Sequence, residues 1–246
     1  MKTTISILIM LFAGLTGTSQ TNQAKNFETD TYETSKGPLK ITFIGHGTLM
    51  IEAGNQVVHI DPVLREADFS KLPKADLILV THEHFDHLDK KAIAMISNPG
   101  TKIILSKSCK GLVDNGIVLL NGEQKSFGNW GIEAVPAYNL LNKRPEGLPF
   151  HPKGNGNGYV ISYGGKRIYV AGDTENIPEM GNLKKIDVAF LPMNLPYTMT
   201  PQMVADGAKS FMPVVLYPYH YGETNPQLLI DLLKSTPIKV VIRKMK

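Results

Sequence analysis

A chain of 246 residues with 42% hydrophobic content can bury a full core, as one larger domain or as two small ones. Its formal charge of +4 comes from 26 basic against 22 acidic residues without a dense Lys/Arg block, so nothing demands a nucleic-acid partner. A single cysteine, Cys109, excludes an intramolecular disulfide framework and a multi-cysteine zinc site. At the N-terminus, Lys2 precedes an apolar segment over residues 5–15, and the small polar residues Thr16-Gly17-Thr18-Ser19 follow. That layout is a secretory signal peptide. The segment falls short of the ~20 residues needed to span a membrane, and no cysteine follows it to carry a lipid. Residues 1–19 are therefore expected to be a cleaved signal peptide, residues 20–36 a mobile polar tether, and residues 37–246 the folded domain. The product is exported, periplasmic or secreted, with no stable membrane anchor.

The predicted elements follow in order. Residues 40–44 alternate in polarity and end at Gly45-His46-Gly47, and strand-like runs at 48–52 and 56–60 are joined by the turn Ala53-Gly54-Asn55. The second run ends at His59-Ile60-Asp61-Pro62, with His59 inside the strand in a structural role. Leu77-Ile78-Leu79-Val80 is short, apolar and bounded, which reads as a buried strand. Apolar residues at helical spacing from Leu88 to Ile96 form a helix stopped by Asn98-Pro99-Gly100. Strands at 102–105, 117–120 and 131–137 complete the first half. A Gly/Pro/Asn-rich stretch, 139–158, is a long loop, and long loops in compact domains are often functional. Strands at 159–163 and 167–171 pair across Gly164-Gly165, and others follow at 186–191, 214–217 and 238–242. Thr200-Pro201 and Asn225-Pro226 each open a helix with a cap and a proline at the first position. Each half reads as hairpin-connected strands followed by strand–helix alternation. The fold class is α+β, two mixed sheets packed face to face with helices outside.

One stretch carries the chemistry. Thr81-His82-Glu83-His84-Phe85-Asp86-His87 packs three imidazoles and two carboxylates onto the turn after the 77–80 strand. Open α/β sheets place ligands at such strand ends. Imidazole with carboxylate suits zinc, with manganese or iron as alternatives. Other polar residues at strand ends, His46, Asp61, Asn139, Asp173 and His220, are natural partners if those ends share one rim.

His82-x-His84-x-Asp86-His87 after an apolar strand resembles the signature of the metallo-β-lactamase superfamily. Gly172-Asp173-Thr174 and Pro218-x-His220 resemble its downstream metal motifs, in the expected order. Gly45-His46-Gly47-Thr48, Asp61-Pro62, Pro136-Ala137-Tyr138-Asn139 and His151-Pro152 are similar to one branch, predicted metal-dependent hydrolases related to ascorbate-phosphate lactonase and to phospholipase D of the N-acyl phosphatidylethanolamine type. The match spans residues 40–221. The resemblance implies an αββα sandwich with one or two divalent metals in the cleft at the sheet edges. It assigns His82 and His84 to a first metal, Asp86, His87 and His220 to a second, and Asp173 to a bridge between them. Many relatives supply a third histidine to the first metal where this chain has Tyr138-Asn139. Asn139, through its carbonyl oxygen, or His151, swinging in from the loop, is expected to fill that place.

Such ions lower the pKa of water towards about 7 and polarise a carbonyl or phosphoryl oxygen, so no nucleophilic side chain is needed. Asp86 or Asp173 is expected to orient the water and carry its proton. His46 would bind an oxyanion or protonate a leaving group, and Asp61 would fix a ligand histidine through its other ring nitrogen. The expected activity is hydrolysis of a small ester, lactone, amide or phosphodiester. The alternatives are a phosphodiesterase or nuclease of the same fold, and a metal-binding protein without catalysis. Asp173, where the main lactamase class has a cysteine, speaks against β-lactams. No pattern in the chain specifies an oligomeric state.

Overall fold

The computed structural model describes residues 26–246. The expected signal peptide lies outside the described residues, and so does the start of the expected tether. The architecture is two seven-stranded sheets packed face to face. In the first, β1 (Glu28–Thr34), β2 (Gly37–Gly45), β3 (Thr48–Ala53) and β4 (Gln56–Ile60) run antiparallel. Then β5 (Leu77–Val80), β6 (Lys102–Leu105) and β7 (Ile117–Val118) continue parallel to β4. The second sheet repeats this plan. Antiparallel β8 (Gln124–Phe127), β9 (Trp130–Ala137), β10 (Gly156–Tyr163) and β11 (Lys166–Val170) lead into parallel β12 (Val188–Pro192), β13 (Val215–Tyr219) and β14 (Lys239–Val240). This is the expected αββα sandwich.

Burial explains the apolar run that marks β5. Leu77 and Leu79 face the second sheet, within the core that also holds Ile41, Phe43, Ile161 and Phe190. Ile78 and Val80 face outward and are covered by Ala92, Ile93 and Ile96 of helix α1 (Lys90–Ile96). A strand buried on both faces has no polar alternation to show. Across the interface the rings of Phe43 and Tyr217 approach to 4.9 Å, and Phe190 stacks on Tyr217 at 5.1 Å. Helix α2 (Pro201–Phe211) covers the second sheet. The Thr200 hydroxyl accepts from Met203 N at 3.1 Å, and Phe211 packs edge-on against Tyr169. Helix α3 (Gln227–Leu233) adds Leu229 and Leu233 to the same core.

Several elements differ from expectation: the expected strands at 117–120 and 238–242 shorten to Ile117–Val118 and Lys239–Val240, and Pro226 is the N-cap of α3 rather than its first residue. Residues 28–34, assigned to the tether, form β1, an edge strand with no fully buried residue. Pairing with β2 and the clamp of Arg243 on Asp30 (2.7 Å) hold it, so it carries no apolar signal. The polar edge strand β8 escaped notice for the same reason. Strand β10 starts at Gly156 rather than at residue 159, with Gly156, Asn157 and Gly158 paired to Ala137, Pro136 and Val135 of β9, and a side chain at Gly158 would strike the carbonyl of Ala171 at 2.7 Å. Glycine there serves close packing, not a loop.

Candidate metal centre

The site lies at one rim, where the β2–β3 turn meets the C-terminal ends of β4, β5, β11 and β13. β5 ends at Thr81, whose backbone N–H and hydroxyl donate to the buried carboxylate of Asp61 at 2.8 and 2.6 Å. The chain then folds back, with His87 N and Leu88 N both donating to His84 O, and Asp89 caps helix α1 by accepting from Lys91 N at 2.8 Å. The cluster is thus a fixed strand–turn–helix corner. Asp173 follows Gly172, whose φ of +65° belongs to the left-handed region and whose missing side chain leaves room for Thr81. Among the described residues seven non-glycines have positive φ, and three of them, His46, Asp61 and His220, are here. Strain of that kind, on the order of 1–3 kcal/mol per residue, gathers at functional sites.

Asp173 stands at the centre, almost fully buried. Its carboxylate lies 3.3 Å from His151 Nε2, 3.4 Å from His220 Nε2, 3.4 Å from His87 Nε2 and 3.9 Å from His82 Nε2. The opposite ring nitrogens fix three of these imidazoles. His87 Nδ1 donates to Asp61 at 2.7 Å, and His151 Nδ1 donates to Asn139 Oδ1 at 2.7 Å, because a carboxylate and an amide carbonyl can only accept. The hydroxyl of Thr81 gives its proton to Asp61 and therefore accepts from His82 Nδ1 at 3.0 Å. In its neutral form each of the three rings consequently turns a bare Nε2 towards Asp173. These nitrogens, with His220 Nε2 and Asp173 Oδ1, are buried without a hydrogen-bond partner.

That arrangement is costly unless a cation satisfies it, since each orphaned buried polar atom costs about 1–3 kcal/mol. Ligand atoms held ~2.1 Å from a tetrahedral metal stand ~3.4 Å from one another, close to the separations found around Asp173. The donors fall into two neighbouring sets, His82/His84/His151 and His46/Asp86/His87/His220, and a third set of His82, His87 and Asp173 links them. The residues present therefore fit one or two divalent ions. The electrostatics agree. Burial resists charge on Asp173, but His220 and His87 hold it well below the usual carboxylate range. Burial likewise lowers His87, yet the carboxylates of Asp173, Asp61 and Asp86 raise it to about 9. Burial pushes His82 well down, helped by the neighbouring imidazoles.

The structure brings His46, His82, His84, Asp86, His87, His151, Asp173 and His220 together at this rim. His46 Nε2 lies 3.3 Å from Asp86 Oδ2, and its ring centroid is 3.8 Å from that of His220. Asp61 grips His87 as expected. His59 is buried away from the centre, bonded to Pro73 O at 3.1 Å, consistent with a structural role. The expectation for Asn139 needs correcting. Its Oδ1 accepts from both His151 N (2.8 Å) and His151 Nδ1, and its Nδ2 donates to Glu175 Oε1 (3.1 Å) and Tyr197 O (2.9 Å). Asn139 therefore holds His151 instead of offering its oxygen to a metal, and His151 is already seated rather than poised to swing in.

Sequence reading missed Glu175, a fully buried carboxylate behind Asn139, and Arg144, Phe150 and Tyr197, which line the cavity over the centre. Only the position of Glu175, directly after Gly172-Asp173-Thr174, hinted at it. The cavity has a volume of about 510 Å³ and reaches His46, His84, Asp86, His151, Asp173 and His220. That is room for a small molecule.

A two-sheet sandwich with a His/Asp centre at its rim defines a class, the metallo-hydrolases of the metallo-β-lactamase fold. Residues 40–220 match the β-lactamase superfamily domain, and the chain belongs to this superfamily. It is 34% identical over 196 residues to a UPF0173 metal-dependent hydrolase of Pelotomaculum thermopropionicum, covering 75% of this chain and 85% of that one. A crystal structure of a protein from Parabacteroides distasonis, described as a metal-dependent hydrolase, superposes with a TM-score of 0.86 at 47% identity, covering 90% of this chain and all of the other. YhfI of Bacillus subtilis, only 15% identical, shares the fold with a TM-score of 0.67 over 85% of this chain and 97% of its own. The chain is a metal-dependent hydrolase of this superfamily.

Proposed function

We propose that this hydrolase cuts a small ester, lactone, amide or phosphodiester with one or two divalent ions, zinc first and manganese or iron as alternatives. The observation that carries the reading is the ring of buried Nε2 atoms without hydrogen-bond partners around Asp173. His82, His84 and His151 would hold a first ion and Asp86, His87 and His220 a second, with Asp173 shared between them. When bound, such ions supply Lewis acidity and make water a nucleophile near neutral pH.

The chain's own groups do the rest. Asp61 and Asn139 keep His87 and His151 in the tautomer that presents Nε2. Asp86 Oδ2 lies between His46 Nε2 (3.3 Å) and His220 Nε2 (3.7 Å), and its carboxylate can take a proton from water and pass it to His46. His46, about one-eighth exposed and lining the cavity, is placed to deliver that proton to a leaving group. Phe150 and Tyr197 line the same cavity. The reading includes export: residues 1–19 act as a signal peptide and the enzyme works outside the cytoplasm. No helix among the described residues is long and apolar enough to cross a membrane.

The test is a panel of p-nitrophenyl esters, lactones, amides and bis-p-nitrophenyl phosphate, run with protein stripped and reloaded with zinc, manganese or iron. Metal-dependent turnover of at least one class, lost in Asp173→Ala, is the expected result. Tight metal binding with no turnover of any class would favour a binding protein instead.

A further inference from the structure

The loop between β9 and β10 carries a cation for which metal holding has no use. The loop is built, not slack. Glu175 accepts from three successive backbone N–H groups, those of Leu140 (2.9 Å), Leu141 (2.8 Å) and Asn142 (2.6 Å). Beyond them the chain closes a tight turn, with Arg144 N donating to Leu148 O at 2.7 Å and Gly147 N to Arg144 O at 2.9 Å. This turn sets Arg144 in the wall of the cavity that holds His84, His151 and Asp173.

Among the described residues Arg144 has no carboxylate within ion-pair distance. Lys153, further along the loop, shows the contrast, paired with Glu179 at 2.8 Å. The guanidinium of Arg144 lies over the Phe150 ring at 5.5 Å and makes only long contacts, 3.4 Å each, to Phe150 O and His84 Nε2. Neither partner is an anion. Yet the guanidinium fork suits a carboxylate or phosphate through two parallel hydrogen bonds. His84 is moreover one of the first metal's candidate ligands, and a guanidinium beside a metal-bearing imidazole is better placed facing an anion than facing the ring. Beside Glu83 and Asn194, three aromatic rings, Phe85, Phe150 and Tyr197, line the same cavity. Phe150 meets Tyr197 edge-on at 5.1 Å, and Tyr197 and Phe85 are 45% and 79% exposed. Exposed rings around a polar centre mark a surface that an apolar group covers.

We propose that Arg144 determines specificity: it binds an oxyanion of the substrate, carboxylate or phosphate, remote from the bond that is cut, while Phe85, Phe150 and Tyr197 take an apolar portion. This rests on the hydrolase reading above and names its substrate class, a small amphiphilic anion.

The metal-loaded full chain is assayed with p-nitrophenyl hydrogen glutarate, which carries one free carboxylate away from the ester, and with neutral p-nitrophenyl butyrate. Wild type prefers the glutarate in kcat/KM by about tenfold or more. The preference collapses to about one in Arg144→Gln, mainly through KM, and survives in part in Arg144→Lys. Lys143→Gln, which removes the neighbouring charge outside the cavity wall, keeps the preference. Independently of turnover, NMR titration measures binding of glutarate and of 3-phosphonopropanoate to metal-loaded wild type and Arg144→Gln. Both bind about tenfold more weakly to the variant, and the tighter of the two identifies the anion. A kcat/KM ratio or anion affinities unmoved by Arg144→Gln, or moved equally by Lys143→Gln, would overturn the proposal. If neither ester is hydrolysed, esters drop out of the reading above and the titration alone decides the role of Arg144.

Discussion

Replacing Asn139 separates two roles that the sequence leaves open, and the structure assigns opposite signs to them. In Asn139→Ala, His151 loses both of its hydrogen bonds to Oδ1, and Glu175 Oε1 loses a donor. Each buried hydrogen bond contributes about 1 kcal/mol net, and each stranded partner costs about 1–3 kcal/mol more. The variant should be destabilised by about 2–4 kcal/mol. Its first-site metal affinity should fall by about 10–100-fold, the usual effect of removing the group that orients a ligand histidine. Asn139→Asp is the sharper test. Were residue 139 a ligand, an anionic oxygen would bind a divalent ion more tightly than the amide does. In the geometry found here the new carboxylate would face Glu175 Oε1 at about the 3.1 Å now spanned by Nδ2. Two like charges so close and buried cannot both ionise without strain. Chelator competition gives the affinity, and urea unfolding of the metal-free protein gives the stability. Weaker binding and lower stability in both variants is the expected outcome. Tighter binding in Asn139→Asp would refute the positioning role.

Other perturbations follow from the same contacts. Asp61→Asn turns the carboxylate that accepts from His87 and twice from Thr81 into an amide, and should lower second-site metal affinity by about tenfold or more, read in the same competition assay. His87 titrates near 9 in the metal-free protein, so below that pH an incoming ion must displace its proton. Affinity should therefore rise with pH by up to about tenfold per unit until about 9, with proton release visible by calorimetry in buffers of different ionisation enthalpy; pH-independent binding would contradict this. Burial pulls His59 down to about 4. Its folded value lies below the unfolded ~6.5, so the unfolded chain takes up the extra proton and stability falls as pH drops from 6.5 towards 4. Between pH 7 and 4.5 the metal-free wild type should lose about 2–3 kcal/mol more than His59→Gln in urea unfolding.

Much of the site was legible because its signals are local. The run 77–80 is apolar throughout because β5 is covered on both faces, and the cluster after it sits on one turn. Asp173 and His220 close strands whose patterns are equally plain, and the position of Asp61 after β4 suits the acceptor role it takes. What escaped depends on contacts distant in sequence. Whether Asn139 binds metal or His151 depends on how the loop between them folds. That loop is set by Glu175, more than thirty residues away, whose hydrogen bonds leave no pattern in the chain. Strand β1 is silent for a related reason. Apart from Tyr32, which packs against the core, its residues are polar, and its anchors are the edge of β2 and Arg243 near the other end of the chain.

The most direct measurement is an anomalous-difference map from crystals of the metal-loaded protein, collected at the absorption edge of the bound metal. A peak within bonding distance of His82, His84, His151 and Asp173 is expected, with Asn139 still bonded to His151 Nδ1 and any second peak against Asp86, His87 and His220. A peak coordinated by Asn139 Oδ1, or no peak among these side chains, would contradict the assignment.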